Sequence, residues 1–245
     1  MSHISENVRA VRKVISESAK KAGRDPAEIK LIGVTKTVDT SRINELLAAG
    51  VTEIGENRVQ DMLPKYEYFF DREIRPREWH FIGHLQRNKV KFIVGKVDLI
   101  HSVDSLALAE EINKRAETLD IVQKILIEVN ISSESSKFGI PPSEILELAK
   151  KLEKLRFLRL SGLMCVAPFV ENAEENRGNF TKMRNLSVDI QERCHYDTIS
   201  RESSFELSMG MTGDYSVAVE EGATMIRIGT ALFGERIKTE QEVLI

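Results

Sequence analysis

The stretch Val122-Gln-Lys-Ile-Leu-Ile-Glu-Val-Asn130 decides how the rest of the chain is read. Aliphatic and β-branched residues dominate it, the pattern of a strand covered on both faces in a parallel sheet. A Ser-rich loop follows, then Pro141-Pro142 and an amphipathic helix through Ile145, Leu148 and Leu152. A second apolar run, Leu158-Arg-Leu-Ser-Gly-Leu-Met-Cys-Val166, comes next. Strand, helix and strand in this order make a unit with parallel strands and a right-handed crossover.

The alternation continues outward in both directions. On the N-terminal side, runs 29–36, 51–57, 78–83 and 97–102 read as four strands. The first leads into a helix over 41–49 that Asp39, Thr40 or Ser41 can cap and Gly50 stops. Asp104 is expected to open the helix carrying Leu106, Leu108, Ala109 and Ile112. On the C-terminal side a longer polar helix covers about 173–194, and runs 205–208 and 224–229 read as the last two strands. Val8, Val11, Val14, Ile15 and Ala19 recur at helical spacing and predict a docked amphipathic helix ahead of the first strand. Eight strand-and-helix repeats fit a closed barrel better than an open sheet, which usually has fewer strands. No Gly-x-Gly-x-x-Gly follows any strand, and no Pro- or Gly-rich linker divides the chain. The expectation is an α/β fold: a single (β/α)8 TIM-type barrel domain over 1–245, with an extra N-terminal helix.

Composition narrows the function classes. The 245 residues carry 35 basic and 38 acidic side chains, a formal charge of −3, so bulk attraction to nucleic acid or anionic lipid is not expected. Cys165 and Cys194 are far apart, which argues against a zinc site or a disulfide framework and for a reducing, cytoplasmic setting. The longest apolar stretch, 162–170, is too short to span a bilayer and contains a proline, and the N-terminus lacks the apolar core of a secretory signal.

A barrel of this kind places its chemistry where the strands end. Lys36 closes the first strand. A desolvated amine there would have a lowered pKa and form a Schiff base, whereas an exposed lysine just past the strand is the competing reading. Arg227-Ile-Gly-Thr-Ala-Leu-Phe-Gly234 and Ser208-Met-Gly-Met-Thr-Gly213 end the last two strands, and together they favour a phosphate cradle of backbone N–H groups and hydroxyls. His80 and His84 have the helical spacing of zinc ligands but cross a strand end, so no metal is expected. Glu56 and Asp104 make a poor glycosidase pair, since Asp104 reads as a helix cap and Glu56 has no evident partner. Residues 87–91 read as a solvated basic helix face.

Val34-Thr-Lys36, Ile54-Gly-Glu-Asn57, Trp79-His-Phe-Ile-Gly-His-Leu-Gln-Arg-Asn-Lys89, Ser208-Met-Gly-Met211 and Arg227-Ile-Gly-Thr230 are familiar together. With them the chain resembles the pyridoxal phosphate homeostasis (YggS/PROSC) family, which has the N-terminal barrel fold of alanine racemase. The resemblance implies pyridoxal 5'-phosphate (PLP) held as a Schiff base on Lys36, with Ser208, Gly229 and Thr230 on its phosphate and Met211 nearby. It implies Arg227 facing the pyridine nitrogen, Asn57 and His80 lining the ring pocket, and Lys137 as a loop position that receives cofactor in transit. Thr212-Gly213-Asp214 departs from the serine and acidic residues the family pattern leads one to expect. Alanine racemases add a C-terminal β-domain bearing a second acid–base tyrosine. With eleven residues after Gly234, that domain is expected to be missing here. A complete cofactor cradle with an incomplete catalytic set leads to a non-catalytic carrier that buffers PLP and hands it to apo-enzymes, and the loss of the racemase dimer domain favours a monomer. A single-domain amino-acid racemase using His80 or Cys165 is the alternative, and a cofactor-free Schiff-base aldolase is a third reading.

Overall fold

Eight strands form and close on themselves in sequence order, as the periodicity predicted. The structure is a computed structural model that describes residues 2–132, 134, 138–194 and 205–234, so Lys137 lies outside the described residues. β1 (Lys30–Val34), β2 (Glu53–Glu56), β3 (Glu78–Phe81), β4 (Leu99–Val103), β5 (Gln123–Val129), β6 (Leu158–Cys165), β7 (Glu206–Ser208) and β8 (Met225–Ile228) pair in parallel, and β8 returns to β1. A parallel neighbour needs a crossover, and helices supply most of them. α2 (Thr40–Ala48), α3 (Val59–Phe69), α4 (Val90–Ile93), α5 (Leu106–Thr118), α6 (Ile145–Leu152), α7 (Arg177–Arg193) and α8 (Tyr215–Glu220) separate consecutive strands, and α9 (Thr230–Phe233) follows β8.

α9 is a single turn, too short to cover the seam between β8 and β1. The N-terminal helix α1 (His3–Lys21) does so instead. It buries Ile4, Val8, Val11, Ile15 and Ala19 and packs against α2, α8 and α9. Asn7 Nδ2 donates to the carbonyl of Leu232 at 2.9 Å, tying the helix to α9. The helix expected as an addition to the barrel therefore completes its outer layer.

Three local readings are corrected. Asp39 caps α2 as expected, but Ser105 caps α5 through the Leu108 N–H while Asp104 turns to His84. α3 was not evident in the sequence because Pro64 interrupts its pattern and its first turn has no capping side chain. The basic run 87–91 is largely a 3-10 turn, Arg87–Lys89, leading into the one-turn α4.

The core has two shells. The larger lies between strands and helices, and a small inner plug of Ile32, Leu99, Leu126, Met164 and Met225 fills the barrel axis. In strand register, His80 sits beside Leu99 and Ser208 beside Met225, so polar side chains share the level of the plug. Strand alternation then puts Lys30 and Glu78 towards the strand starts and Glu128 and Arg227 towards the strand ends.

Candidate functional site at the barrel mouth

The ends of β1 and β8 touch. A Cβ on Gly229 would lie 3.5 Å from the Val34 Cβ, so Lys36 and Thr230 issue from adjacent strand ends. The loop after β7 joins them. Gly210 has φ 93° and its Cα lies so close to α8 that a Cβ would come within 2.6 Å of the Ala218 methyl. Asp214 accepts from the Met211 N–H at 2.7 Å, and the Ala231 N–H points at the Thr212 hydroxyl at 3.4 Å. The two glycine-containing loops therefore meet, as the sequence suggested, with Met211, Thr212 and Thr230 exposed beside them.

Of the two readings of Lys36, the structure shows the exposed one: it lies one residue beyond the fully buried Thr35. The strand ends before it, and Thr37 takes a left-handed φ of 60° that carries the chain away.

Ser208 and Arg227 lie deeper, inside the barrel. Arg227 is 4% exposed and donates from one nitrogen to Ser208 Oγ at 2.6 Å and from another to the Cys165 carbonyl at 2.8 Å. Burial pulls the guanidinium pKa below its usual value, opposed by Cys165, Glu128 and Asp214. An arginine starts so high that it stays cationic. With its hydroxyl engaged by Arg227 and His101, Ser208 supports the arginine rather than presenting a free donor to the mouth. Thr212 is the hydroxyl of that loop beside the start of α9.

His80 and His84 go to different partners. The His80 ring points into the barrel and meets His101, with Nδ1 and Nε2 2.9 Å apart, while His84 stacks on Phe138 and pairs with Asp104 at 3.2 Å. Glu56 faces outward. It accepts from Thr35 Oγ1 at 2.6 Å and pairs with Lys65 at 2.7 Å, so it does not oppose Asp104 across the mouth. Burial outweighs Lys65 and raises its pKa.

His101 and Glu128 escaped the sequence reading because each sits within a run that reads simply as strand. The available signal was a lone polar residue in an otherwise apolar parallel strand. Burial pushes the His101 pKa well down, and His80, Arg227 and Lys30 add to that, so its ring is neutral. Burial, helped by Asp104 and opposed by Arg227, raises Glu128 from 4.5 to about 7. Its Oε2 and the Oδ1 of Asn57 are buried without a hydrogen-bond partner. Unpaired buried acceptors are costly, so both mark places where a further donor belongs.

A raised carboxyl pKa means that the folded state holds its proton longer than the unfolded chain does. Between about pH 4.5 and 7 stability should therefore fall as pH rises, then level off. Glu128→Gln should remove this slope, on the order of 2 kcal/mol between pH 5 and pH 8 in urea unfolding. Equal slopes in the two proteins would place the Glu128 pKa elsewhere.

Two clefts flank these groups. One of about 470 Å³ opens beside the mouth and is lined by Asn57, Arg58, Gln60, His84, Gln86 and Lys89. A larger one, about 660 Å³, lies at the opposite end among Tyr66, Arg75, Trp79, Lys96, Asp98 and Lys124. It adjoins strand starts, the face that in such barrels serves stability rather than chemistry.

Comparison with known proteins bears on the fold and the family. Residues 1–237 match the family model "Alanine racemase, N-terminal domain". A pyridoxal phosphate homeostasis protein of Aquifex aeolicus is 45% identical over 231 residues, 94% of this chain and 97% of that protein. The PipY protein of Synechococcus elongatus, solved with PLP bound, superposes with a TM-score of 0.79 at 33% identity, covering 95% of this chain and all of the other. Alanine racemase of Clostridium difficile shares the fold alone, at 16% identity and a TM-score of 0.66, over 96% of this chain and 58% of that one.

Proposed function

Because the chain belongs to the pyridoxal phosphate homeostasis protein family, we propose that it binds PLP at the barrel mouth and carries it reversibly for delivery to apo-enzymes. The observation that supports this most is the meeting of Lys36, the Thr212 and Thr230 hydroxyls and the buried Arg227 at neighbouring strand ends. The donor set suits the cofactor: an amine for its aldehyde, hydroxyl and backbone N–H groups for its phosphate, and unpaired acceptors on Asn57 and Glu128. PLP supplies a reactive aldehyde and an electron-withdrawing pyridine ring. Gly229 and Thr230, with Thr212 nearby, hold the phosphate, Met211 flanks it, and Asn57 lines the ring pocket, while Ser208 supports Arg227 from below. His80 acts from inside the barrel.

Arg227 faces the ring nitrogen. A guanidinium has no lone pair to accept a proton and none it readily gives up, so the nitrogen beside it stays unprotonated and the ring withdraws electrons weakly. That favours storage over turnover, in one cytoplasmic, monomeric barrel domain. Among the described residues, no helix is long and apolar enough to cross a membrane.

Glu128 favours a second reading, an amino-acid racemase. A carboxyl with a pKa of about 7 and a free oxygen is suited to proton exchange, whereas His80 points into the barrel against His101 and Cys165 is buried. Incubating the PLP-loaded protein with a panel of amino acids in heavy water decides between them. The carrier reading expects no deuterium at Cα on the timescale of a true racemase and recovery of activity when an apo-enzyme is added. Rapid incorporation that Glu128→Gln abolishes would establish the racemase.

A further inference from the structure

A line of polar side chains runs through the barrel beside the apolar plug. Arg227 donates to Ser208 Oγ at 2.6 Å, Ser208 lies 2.9 Å from His101 Nδ1, and His101 Nε2 lies 2.9 Å from His80 Nδ1. His80 Nε2 is 3.2 Å from Glu78 Oε2, off the straight N–H line, and Lys30 Nζ reaches the same oxygen at 2.5 Å. The middle of the line is shut off from water, with His80, His101 and Ser208 each at most 1% exposed. Glu78 and Lys30, at the strand starts, are about one-third exposed.

The Arg227 end sets the direction of the bonds. Arg227 can only donate, so Ser208 accepts from it. The buried hydroxyl proton then has His101 Nδ1 as its acceptor. A neutral His101 carries its proton on Nε2 and gives it to His80 Nδ1, which leaves the His80 proton on Nε2, facing Glu78. From the other end, an ionised carboxylate can only accept, which agrees with a proton on His80 Nε2. His80, against the cost of burial, and Lys30 hold the Glu78 pKa down at about 2. The reverse order would aim a His80 lone pair at that carboxylate and leave the Ser208 proton without an acceptor.

We infer that Glu78, at the floor of the barrel, is a positioning residue for Arg227, acting through a one-way hydrogen-bond chain across His80, His101 and Ser208. The charge on Glu78 selects the histidine tautomers, these orient the Ser208 hydroxyl, and the hydroxyl keeps its lone pair towards Arg227. The consequence for the mouth rests on the reading of Arg227 as the group that faces the PLP ring, but the chain itself does not.

Nitrogen-15 NMR of the histidine rings and of the Arg227 side chain, in the protein without PLP, tests the chain directly. Wild type should show a neutral His101 with its proton on Nε2, and on His80 a proton on Nε2 with Nδ1 accepting from His101. E78Q, whose amide can donate as well as accept, should shift His80 towards the Nδ1–H form and move the Arg227 resonance. Ser208→Ala should move the His101 and Arg227 signals and provides a second break if E78Q is unstable. An Nδ1 proton on His101 in the wild type, or an Arg227 signal indifferent to both substitutions, overturns the inference. A PLP titration of the same proteins reads the consequence, with E78Q expected to bind roughly fivefold more weakly. Unchanged affinity in E78Q would confine Glu78 to a structural part and sink the positioning role. If wild type itself binds no PLP, the cofactor reading falls, and the NMR result alone decides the chain.

Discussion

Lys36→Ala should abolish covalent capture of PLP while leaving the barrel folded. Wild type incubated with PLP is expected to develop a visible absorption band that borohydride bleaches, with a permanent gain in mass on Lys36. The variant should show neither. Lys36 is exposed and lies beyond β1, so its truncation removes no packing, and the melting temperature should stay within the scatter of a surface substitution. The hydroxyl and backbone donors of the β7 and β8 loops remain, so non-covalent binding should persist about a hundredfold more weakly, a loss on the order of 3 kcal/mol. Mass gain on a different lysine of the variant would move the attachment point. No band in either protein would remove the cofactor from the mouth and return the cofactor-free Schiff-base aldolase to consideration.

Gly83→Ala should damage both the fold and the site. A Cβ at this position would lie 2.2 Å from the Asn57 carbonyl oxygen and 2.7 Å from its Cα, both backbone atoms that cannot rotate away. The methyl group must separate the ends of β2 and β3, and the hydrogen bond from Ile82 N to Glu56 O, 2.9 Å, is next to the break. Overpacking of this kind costs about 3 kcal/mol, or about 6–12 °C in melting temperature for a chain of this size. The displaced residue is Asn57, whose unpaired Oδ1 belongs to the mouth, so PLP affinity should fall with stability. Gly229→Ala is the matched control. A Cβ there has only ordinary contact with Val34 at 3.5 Å and φ is −114°, so stability should hold. Any loss of PLP binding would then report backbone approach to the ligand. A Gly83→Ala protein with wild-type melting and affinity would falsify the close approach of the two strand ends.

Much of the molecule was legible because barrels repeat one local rule. Each strand is a short apolar run and most crossovers are amphipathic helices, so 29–36 and 122–130 announce β1 and β5 without tertiary information. Where a local signal was weak the reading failed. α3 starts at Arg58 without a capping side chain and carries Pro64, and Asp104, an ordinary helix opener, was drawn to His84 while Ser105 took its place. The site shows the same division. Lys36, Arg227 and the two glycine-containing loops stand at strand ends, where residue number alone gives their position.

By itself, then, the sequence determined the number and order of strands, the parallel closed barrel and the end of it that gathers polar groups. Those properties follow from periodicity along the chain. Only the tertiary structure decided that Lys36 is exposed, that Ser208 is bound to Arg227 inside the barrel, and that His80, His101 and Glu78 join them in one line. Residues 78, 101, 208 and 227 are far apart in sequence, and they meet because closure of the sheet sets their strands around a common axis. Which neighbour each meets depends on strand register, and so do the burial that neutralises His101 and the burial that raises Glu128. Hydrogen-bond direction and proton affinity are properties of that enclosed interior, and no local stretch of the chain carries them.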